Sequence, residues 1–394
     1  MAEFDCLYSE VLLTRNAWEK RKLGEIAGIF DGTHQTPNYQ SSGIMFLSVE
    51  NIQTLKSNKF ISLEDFQKDF KVSPRTGDIL MTRIGNIGTT NVVKSTRPIA
   101  YYVSLALIRP NDAIDVYYLN YAINVLSFQR ELRRRTLSVA FPQKINKQEI
   151  GKSIVDLPSP SEQIQIGNLF VLLDNLIAAT QNKIDALEQV KETLSKNLFD
   201  QLWRFKEYST SWKENKLKDI VSAYSGGTPS ANIRTYYGGH IPFIRSAEIH
   251  SSTTALTLTQ EGLKNSSAKL VKTGDILYAL YGANSGDVDR SKINGAINQA
   301  ILAMRPSKEN DSNFILFQLM RMKNKIVSTY LQGGQGNLSG RIILALNLDM
   351  PESTSEQRTI GRSLQLLCEL ISINQSKYSQ LESLKKSLLQ NLFV

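Results

Sequence analysis

Two pairs of polar loops in this sequence carry groups that suit contact with nucleic acid. The turns Gly32-Thr-His-Gln-Thr-Pro37 and Gly226-Gly-Thr-Pro229 combine hydroxyl groups with glycine NH groups, which lets a phosphate approach the backbone closely. The segments Arg83-Ile-Gly-Asn-Ile-Gly88 and Tyr281-Gly-Ala-Asn-Ser-Gly286 each hold an amide side chain between glycines. The guanidinium of Arg83 could also bind O6 and N7 of a guanine. We therefore predict that these loops contact nucleic acid.

A third pair of polar loops lies at residues 138–144 and 333–341, and the sequence alignment matches the basic residues that close them, Lys144 and Arg341. Four arginines between residues 130 and 135 are further candidates for phosphate binding. One such loop alone is typical of an ordinary turn, but here matching loops recur in both halves of the chain with different side chains. This pattern predicts two readers with a common frame and different targets. The candidate nucleic-acid-binding residues are Gly32, Thr33, His34, Arg83, Asn86, Arg133, Arg134, Gln143, Lys144, Gly227, Thr228, Arg245, Tyr281, Asn284, Gln335, Asn337 and Arg341.

Residues suited to catalysis or metal binding are not grouped in the sequence. Two cysteines and three histidines in 394 residues have no metal-ligand spacing, and no Asn-Pro-Pro-Tyr-like tetrapeptide for amino-group methylation is present. Gly151-Lys-Ser153 imitates the end of a phosphate-binding loop, but Asn146 stands where that motif requires its first glycine. The sequence therefore predicts a protein without a catalytic site or a cofactor of its own.

Length and composition indicate a soluble protein of two or three domains. The chain has 394 residues, of which 41% are hydrophobic and 21% charged, so disordered and collagen-like classes are excluded. No apolar run approaches the roughly 18 residues of a membrane span, and the first residues lack the basic start of a signal peptide. We expect a cytoplasmic protein without a membrane association.

The sequence repeats itself at an offset near 194 residues. Trp18-Glu-Lys-Arg-Lys-Leu-Gly-Glu-Ile26 returns as Trp212-Lys-Glu-Asn-Lys-Leu-Lys-Asp-Ile220. A Thr-Gly-Asp-Ile-Leu segment starts at both Thr76 and Thr273, and Pro-x(3)-Glu-Gln-x-x-Ile-Gly recurs with Glu162 and Glu356. This period is too long for a solenoid and indicates a duplicated pair of modules.

Positive charge is concentrated on one module of each pair. Residues 18–157 hold 19 Lys and Arg against 13 Asp and Glu, and residues 212–350 hold 16 against 10, so each carries a net charge of +6. The rest of the chain contributes −3 to the net +9. Short β-branched and aromatic runs between Gly, Asn and Pro turns predict mixed α/β globules at these positions. Two basic globules are typical of polyanion binding.

The other two modules have the heptad pattern of long helices, and the whole chain is predicted to be α+β. Apolar residues step by four and three residues in each copy. The predicted seams are Leu173, Ile177, Ile184, Leu187, Leu194 and Leu198 in the first copy and Leu367, Ile371, Tyr378, Leu381, Leu388 and Leu392 in the second. Both seams become polar at matching places, Thr180 with Asn374 and Lys191 with Lys385. Two matching seams in one chain favour antiparallel pairing within it, and pairing between two chains is the alternative.

The complete pattern resembles a specificity subunit of a type I restriction-modification system. The resemblance depends on the order of the modules, the Trp-x(3)-Lys-Leu-x-x-Ile starts, the Thr-Gly-Asp-Ile-Leu segments and the Pro-x(3)-Glu-Gln-x-x-Ile-Gly entries to both helices. It implies an N-terminal segment (1–17), target recognition domains at 18–157 and 212–350, a central conserved spacer helix with its connection (158–211) and a C-terminal spacer helix (351–394).

The resemblance also implies a function and partners. Each recognition domain would read one half of a split target in double-stranded DNA, and the paired helices would set the unread gap and bind two methyltransferase subunits. Restriction subunits would then join, and S-adenosylmethionine, ATP and Mg²⁺ would be used by those partners. The alternatives are a self-contained DNA methyltransferase or nuclease, and a coiled-coil scaffold that binds no DNA.

Overall fold

The computed structural model describes residues 18–137, 141–331 and 337–393. The chain divides into two compact units, a first unit of Met1–Gln181 with Ser376–Val394 and a second unit of Asn182–Gln375. Each unit therefore combines a continuous piece of chain that carries one globule with parts of two long helices. The prediction of a duplicated α+β chain with two long helices is confirmed.

The first globule contains nine short strands and five helices within its described residues. The strands are β1 (Glu19–Lys22), β2 (Ala27–Asp31), β3 (Ile44–Leu47), β4 (Phe60–Ile61), β5 (Ile79–Thr82), β6 (Thr90–Val92), β7 (Ile99–Tyr101), β8 (Leu105–Pro110) and β9 (Ile154–Leu157). The helices are α1 (Leu23–Ile26), α2 (Leu63–Asp69), α3 (Val116–Asn124), α4 (Leu126–Arg135) and α5 (Lys147–Gly151). The long helix α6 (Pro160–Phe199) follows and continues into the second unit.

The second globule repeats this order with one additional strand, Lys269–Val271, and with a single helix, Ser312–Tyr330, where the first globule has α3 and α4. Its strands are β10 (Lys213–Lys216), β11 (Val221–Ser225), β12 (Tyr237–Ile244), β13 (Thr257–Leu258), β14 (Lys269–Val271), β15 (Ile276–Ala279), β16 (Val288–Arg290), β17 (Gly295–Ile297), β18 (Ile301–Pro306) and β19 (Asn347–Met350). Its helices are α7 (Leu217–Ile220), α8 (Gln260–Lys264), α9 (Ser312–Tyr330) and α10 (Gly340–Leu344). The long helix α11 (Thr354–Asn391) starts here and ends in the first unit.

The central sheets of the two globules have the same topology. The first has the strand order β2-β8-β5-β6, the second has β11-β18-β15-β16, and every pair in them is antiparallel. All residues of β5 and β15 are buried. Alternate residues of β5 lie in different hydrophobic clusters, Ile79 and Met81 in one and Leu80 in the other. These strands are almost entirely apolar because both faces of the sheet are covered.

An ion pair explains why the Thr-Gly-Asp segment recurs, and why an Arg-Pro pair follows it in each copy, at 109–110 and at 305–306. Asp78 accepts two hydrogen bonds from Arg109, at 2.9 and 2.7 Å, and Asp275 accepts two from Arg305, at 2.8 and 2.6 Å. Burial opposes the ionisation of Asp275, but the hydrogen bonds from Arg305 and from the backbone NH of Lys272 outweigh it and hold the pKa of this carboxyl below its ordinary value. The pair ties the turn before the central strand to the neighbouring strand in each globule.

The Glu-Gln-x-x-Ile-Gly motif attaches each globule to a long helix. The Gln163 side chain accepts a hydrogen bond from the backbone NH of Asp115 at 3.1 Å, and Gln357 accepts the matching one from Asp311 at 2.8 Å. Both aspartates cap the helix that follows them. A Cβ on Gly167 would lie 2.5 Å from Asp115 Oδ1. Glycine is therefore needed at this position because the long helix passes so close to the capped helix.

The two long helices pair antiparallel in each unit. In the first unit Lys385 of α11 forms an ion pair with Asp174 of α6, and the rings of Phe393 and Phe170 lie 6.0 Å apart. In the second unit Leu198 of α6 and Ile360 of α11 belong to one hydrophobic cluster. All the predicted seam residues are buried or half-buried: Leu173, Ile177, Ile184, Leu187, Leu194, Leu198, Leu367, Ile371, Tyr378, Leu381, Leu388 and Leu392.

The polar seam residues Thr180 and Asn374 are buried as well. The Thr180 hydroxyl donates a hydrogen bond to the carbonyl of Leu176 at 2.7 Å, four residues earlier on the same helix. The Asn374 side chain donates to the carbonyl of Leu370 in the same way, also at 2.7 Å. Each buried polar group is thus bonded within its own helix.

Candidate nucleic-acid interface

Two of the predicted loops of the first unit lie side by side at the end of β5. The backbone NH of Gly85 donates to the carbonyl of Gln143 at 2.9 Å, and the NH of Ile145 donates to the carbonyl of Arg83 at 3.0 Å. Ile84 and Lys144 form an isolated antiparallel bridge. Segments about 60 residues apart in the sequence are therefore held together by backbone hydrogen bonds.

The predicted loop Gly32–Pro37 joins this group through Asp31, the residue before it at the end of β2. Asp31 forms ion pairs with Arg83 and with Lys147. The following residue, Gly32, is packed so closely that a Cβ would overlap the carbonyl oxygen of Tyr101. Thr33 and His34 come next, and the His34 side chain is exposed.

Arg83 does not present its guanidinium to solvent as the sequence suggested. Its side chain is 9% exposed, Nε donates to the carbonyl of Ile145 at 3.1 Å, and the guanidinium pairs with Asp31. The equivalent residue of the second unit, directly after β15, is the buried Leu280. The prediction that Arg83 reads a guanine is therefore wrong, because the residue at this position is buried in both globules.

Other predicted residues of the first unit remain exposed around the joined loops. Asn86, Gln143 and Lys144 are exposed at the loops themselves, and Arg133 and Arg134 are exposed in the last turn of α4. These two arginines form no ion pair among the described residues. The neighbouring Arg135 differs, since it pairs with Glu131 and Glu149. The surface thus offers amides for bases and free cations for phosphates.

The second unit joins its loops by the same kind of bond but in a different register. The NH of Leu338 donates to the carbonyl of Leu280 at 3.0 Å, as Ile145 does to Arg83. Asn337, which is exposed, therefore takes the place of Lys144. The alignment of Arg341 with Lys144 is wrong, because Arg341 lies within α10, four residues beyond Asn337. Its side chain is exposed there, and Gln335 lies outside the described residues.

The remaining candidates of the second unit are engaged to different degrees. Thr228 donates to the side-chain oxygen of Gln299 at 2.6 Å. Arg245 donates two hydrogen bonds to Glu248, both at 3.0 Å, which raise the pKa of its guanidinium. Tyr281 and Asn284 are half-buried. These side chains reach the surface, but Arg245 must exchange its carboxylate partner before it can bind a phosphate.

The turn at Gly227 also shifts by one residue relative to the sequence alignment. Gly226 is the residue pressed against the neighbouring strand, since a Cβ there would overlap the carbonyl oxygen of Ile297. It is thus the counterpart of Gly32, and Gly227 matches Thr33. The sequence alignment had matched Gly32-Thr33 with Gly227-Thr228 because the residue types are identical.

No group of His, Cys, Asp and Glu side chains that could hold a metal ion occurs in the described residues. Within the same ranges no helix has the length and apolar character needed to cross a membrane. The exposed polar loops, which occur in both globules, are therefore the candidate binding surface.

A family model for the type I restriction modification DNA specificity domain matches residues 16–189 and 210–383. The chain belongs to this family. It is a specificity subunit of a type I restriction-modification system with two DNA recognition domains. The two matched ranges have equal length and cover most of both long helices, so each copy of the domain includes a globule and its helix.

The specificity subunit is similar to two proteins of Methanocaldococcus jannaschii. One is the putative type I restriction enzyme MjaX specificity subunit, 24% identical over 95% of this chain and 92% of the relative. The other is the type I restriction enzyme MjaVIII specificity subunit, 24% identical over 88% and 84%.

Two solved structures share the fold. The type I restriction-modification S subunit from M. genitalium has 16% identity and a TM-score of 0.70, with 97% of this chain and 98% of that chain covered. A chain from work on complex assembly and conformational transition of the type I system has 14% identity and a TM-score of 0.53, with 96% and 98% covered.

One surface feature had no counterpart among the sequence-based predictions. On α11 Leu366, Leu370 and Ile373 are exposed by 43%, 44% and 64%. Their spacing of four and three residues places them along one line of the helix, away from the seam. On α6 the matching Leu172 is 52% exposed, and Leu176 is half-buried. We call these residues the outer stripes.

Proposed function

We propose that each recognition domain reads one half of a bipartite DNA target and that the long helices set the gap between the halves. The observation that carries this proposal is that both units keep the same frame, with the same sheet order, ion pair and helix junction, while the exposed loop residues differ. A shared frame positions the reading loops in the same way, and different side chains select different bases.

The outer stripes support binding of two methyltransferase subunits. Exposed leucines and an isoleucine on a solvent-facing helix line leave apolar surface that a partner helix could cover. The stripe occurs once in each unit, on Leu172 of the first and Leu366 of the second, as two copies of one partner would require. Restriction subunits would join this assembly through the methyltransferase core.

The chain itself supplies recognition and assembly, not catalysis. S-adenosylmethionine, ATP and Mg²⁺ would be used by the methyltransferase and restriction subunits, and the complex would work in the cytoplasm. Support comes from the family match, because both matched ranges correspond to a DNA specificity domain and together they span most of the chain.

Exchange of one recognition domain tests the two-reader proposal. Residues 18–157 are replaced by the matching segment of another specificity subunit, and the complex is expressed with its methyltransferase. Methylome sequencing should show one new half-site and one unchanged half-site. Replacement of 212–350 is the matched control and should change the other half-site. A change in both halves from one exchange would overturn the proposal.

Substitution of the outer stripes tests the docking proposal. Leu366→Glu with Leu370→Glu should reduce the bound methyltransferase from two copies to one in native mass spectrometry, because a carboxylate at each position prevents apolar contact. Leu172→Glu should do the same through the first unit. Ser372→Glu, at an exposed position of α11 outside the stripe, is the control and should leave two copies bound.

A further inference from the structure

Phe141 is the most exposed large hydrophobic side chain in the described residues. It is 101% exposed, whereas the next, Leu202, is 68% exposed. It lies within the loop between Leu137 and Lys144, among the exposed candidate residues of the first unit. A phenylalanine that no described residue covers leaves its apolar surface in water, and a bound partner would remove that surface from water.

The base of this loop is firmly held. Leu137 and Lys144 pair across it, with the NH of Leu137 donating to the carbonyl of Lys144 at 3.0 Å. Gln143 accepts from the NH of Gly85, and the carbonyl of Ile145 also accepts from the Arg83 side chain. The buried Arg83 therefore has a positioning role, since it fixes the end of the loop that carries Phe141.

The surroundings favour a polyanion as the partner. Lys144, Arg133 and Arg134 are exposed and form no ion pair among the described residues. The carboxylates on the two flanking helices, Glu131 and Glu149, are both paired with Arg135. An exposed aromatic side chain close in sequence to unpaired cations fits a nucleic acid. Phosphates can bind the cations, and base rings can stack on the aromatic ring.

We propose that Phe141 inserts as a wedge at a base step of the half-site read by the first unit. Phe and Pro are among the residues that partly unstack base steps in this way, and Pro142 directly follows. The second unit has no aromatic residue between Leu331 and Ser339 in its sequence. The wedge would therefore act on one half-site only. The inference rests on the proposed function, since it requires that the first unit reads its own half-site.

The test uses the full chain assembled with its methyltransferase subunits and a duplex that carries the target defined by methylome sequencing. 2-Aminopurine is placed in turn at each position of both half-sites. The wild-type complex should raise fluorescence at one step of the first unit's half-site. Phe141→Ala should abolish this signal and weaken binding about 5- to 150-fold, the range of one base-aromatic stack. Phe141→Trp should retain both.

Salt dependence separates the wedge from the neighbouring cations. Phe141→Ala should leave the slope of log affinity against log salt unchanged, whereas Lys144→Ala should reduce it by about one. Unchanged affinity and fluorescence in Phe141→Ala, with both half-sites still methylated, would overturn the wedge and leave the two-reader proposal intact. Loss of bound methyltransferase in Phe141→Ala would assign the residue to a protein contact and also overturn it. If exchange of residues 18–157 failed to alter a half-site, the proposed function itself would fail.

Discussion

Removal of Glu356 should loosen the start of the second recognition domain far more than removal of Glu162 loosens the first. Glu356 is 1% exposed and accepts hydrogen bonds from Arg204 Nε at 2.9 Å, from Arg204 Nη2 at 2.8 Å and from the Trp212 indole at 3.1 Å. Its counterpart Glu162 is half-buried and accepts the indole NH of Trp18 at 3.3 Å. The two variants Glu356→Ala and Glu162→Ala thus form a matched pair within one chain.

The expected magnitudes follow from the partners that each substitution leaves behind. Loss of one member of a buried ion pair costs about 3–5 kcal/mol. Because the Arg204 side chain is 21% exposed, and water can solvate part of it, we expect about 3 kcal/mol for Glu356→Ala. Among the described residues Glu162→Ala loses one long hydrogen bond, which corresponds to about 1 kcal/mol.

Hydrogen exchange measures these losses locally, which suits a chain with two units that need not unfold together. Amides of residues 203–213 should exchange about 100-fold faster in Glu356→Ala than in the wild type, since 1.4 kcal/mol corresponds to a factor of ten. Amides around Trp18 should exchange about fivefold faster in Glu162→Ala. Equal effects in the two variants, or a larger effect of Glu162→Ala, would refute the argument from Arg204.

Three further predictions test other parts of the structure. Arg83→Leu should lower the melting temperature but leave both half-sites unchanged in methylome sequencing, because leucine occupies the same buried position in the second unit and the backbone hydrogen bonds of Gly85 and Ile145 still hold the loop; a changed half-site would show that the Arg83 side chain is needed for base selection. Gly226→Ala should cost more than about 3 kcal/mol because its Cβ would overlap the Ile297 carbonyl, whereas Gly274→Ala, at φ +93° with open space around it, should cost about 1 kcal/mol, as measured by chemical denaturation. The lowered pKa of Asp275 means that its ionised form stabilises the fold above its ordinary pKa of 3.8 and that this contribution is lost as the pH falls through the folded value. The difference in melting temperature between wild type and Asp275→Asn should therefore shrink below about pH 4, and a constant difference would contradict the pairing with Arg305.

The sequence predicted the elements of the fold because its strongest signals are local or repeated. The heptad seams depend only on spacing along one helix, and their residues are buried or half-buried as expected. The motifs at Glu162 and Glu356 were recognisable because the same contacts are built twice in one chain. The internal repeat thus made these motifs recognisable from a single sequence.

The surface of the candidate site was harder to predict, since it depends on contacts between distant segments. Arg83 could not be distinguished from an exposed arginine, because its partner Asp31 lies 52 residues earlier. Arg341 was matched to Lys144 by charge, although the backbone bond of Leu338 fixes a different register. Phe141 lies in a loop that the pairing of Leu137 with Lys144 closes, and the composition of the loop does not predict this pairing.

The composition of the first unit has a consequence for synthesis of the protein on the ribosome. Leu388 and Phe393 belong to its hydrophobic core, together with Tyr118 and Phe170, but Phe393 is translated 212 residues after Gln181. At about 5–20 residues per second, the first globule waits about 10–40 s for the helix that completes it. During this interval its core side chains stay open to chaperones and proteases, and a stop codon ahead of Leu388 would make that exposure permanent although every recognition loop had been translated.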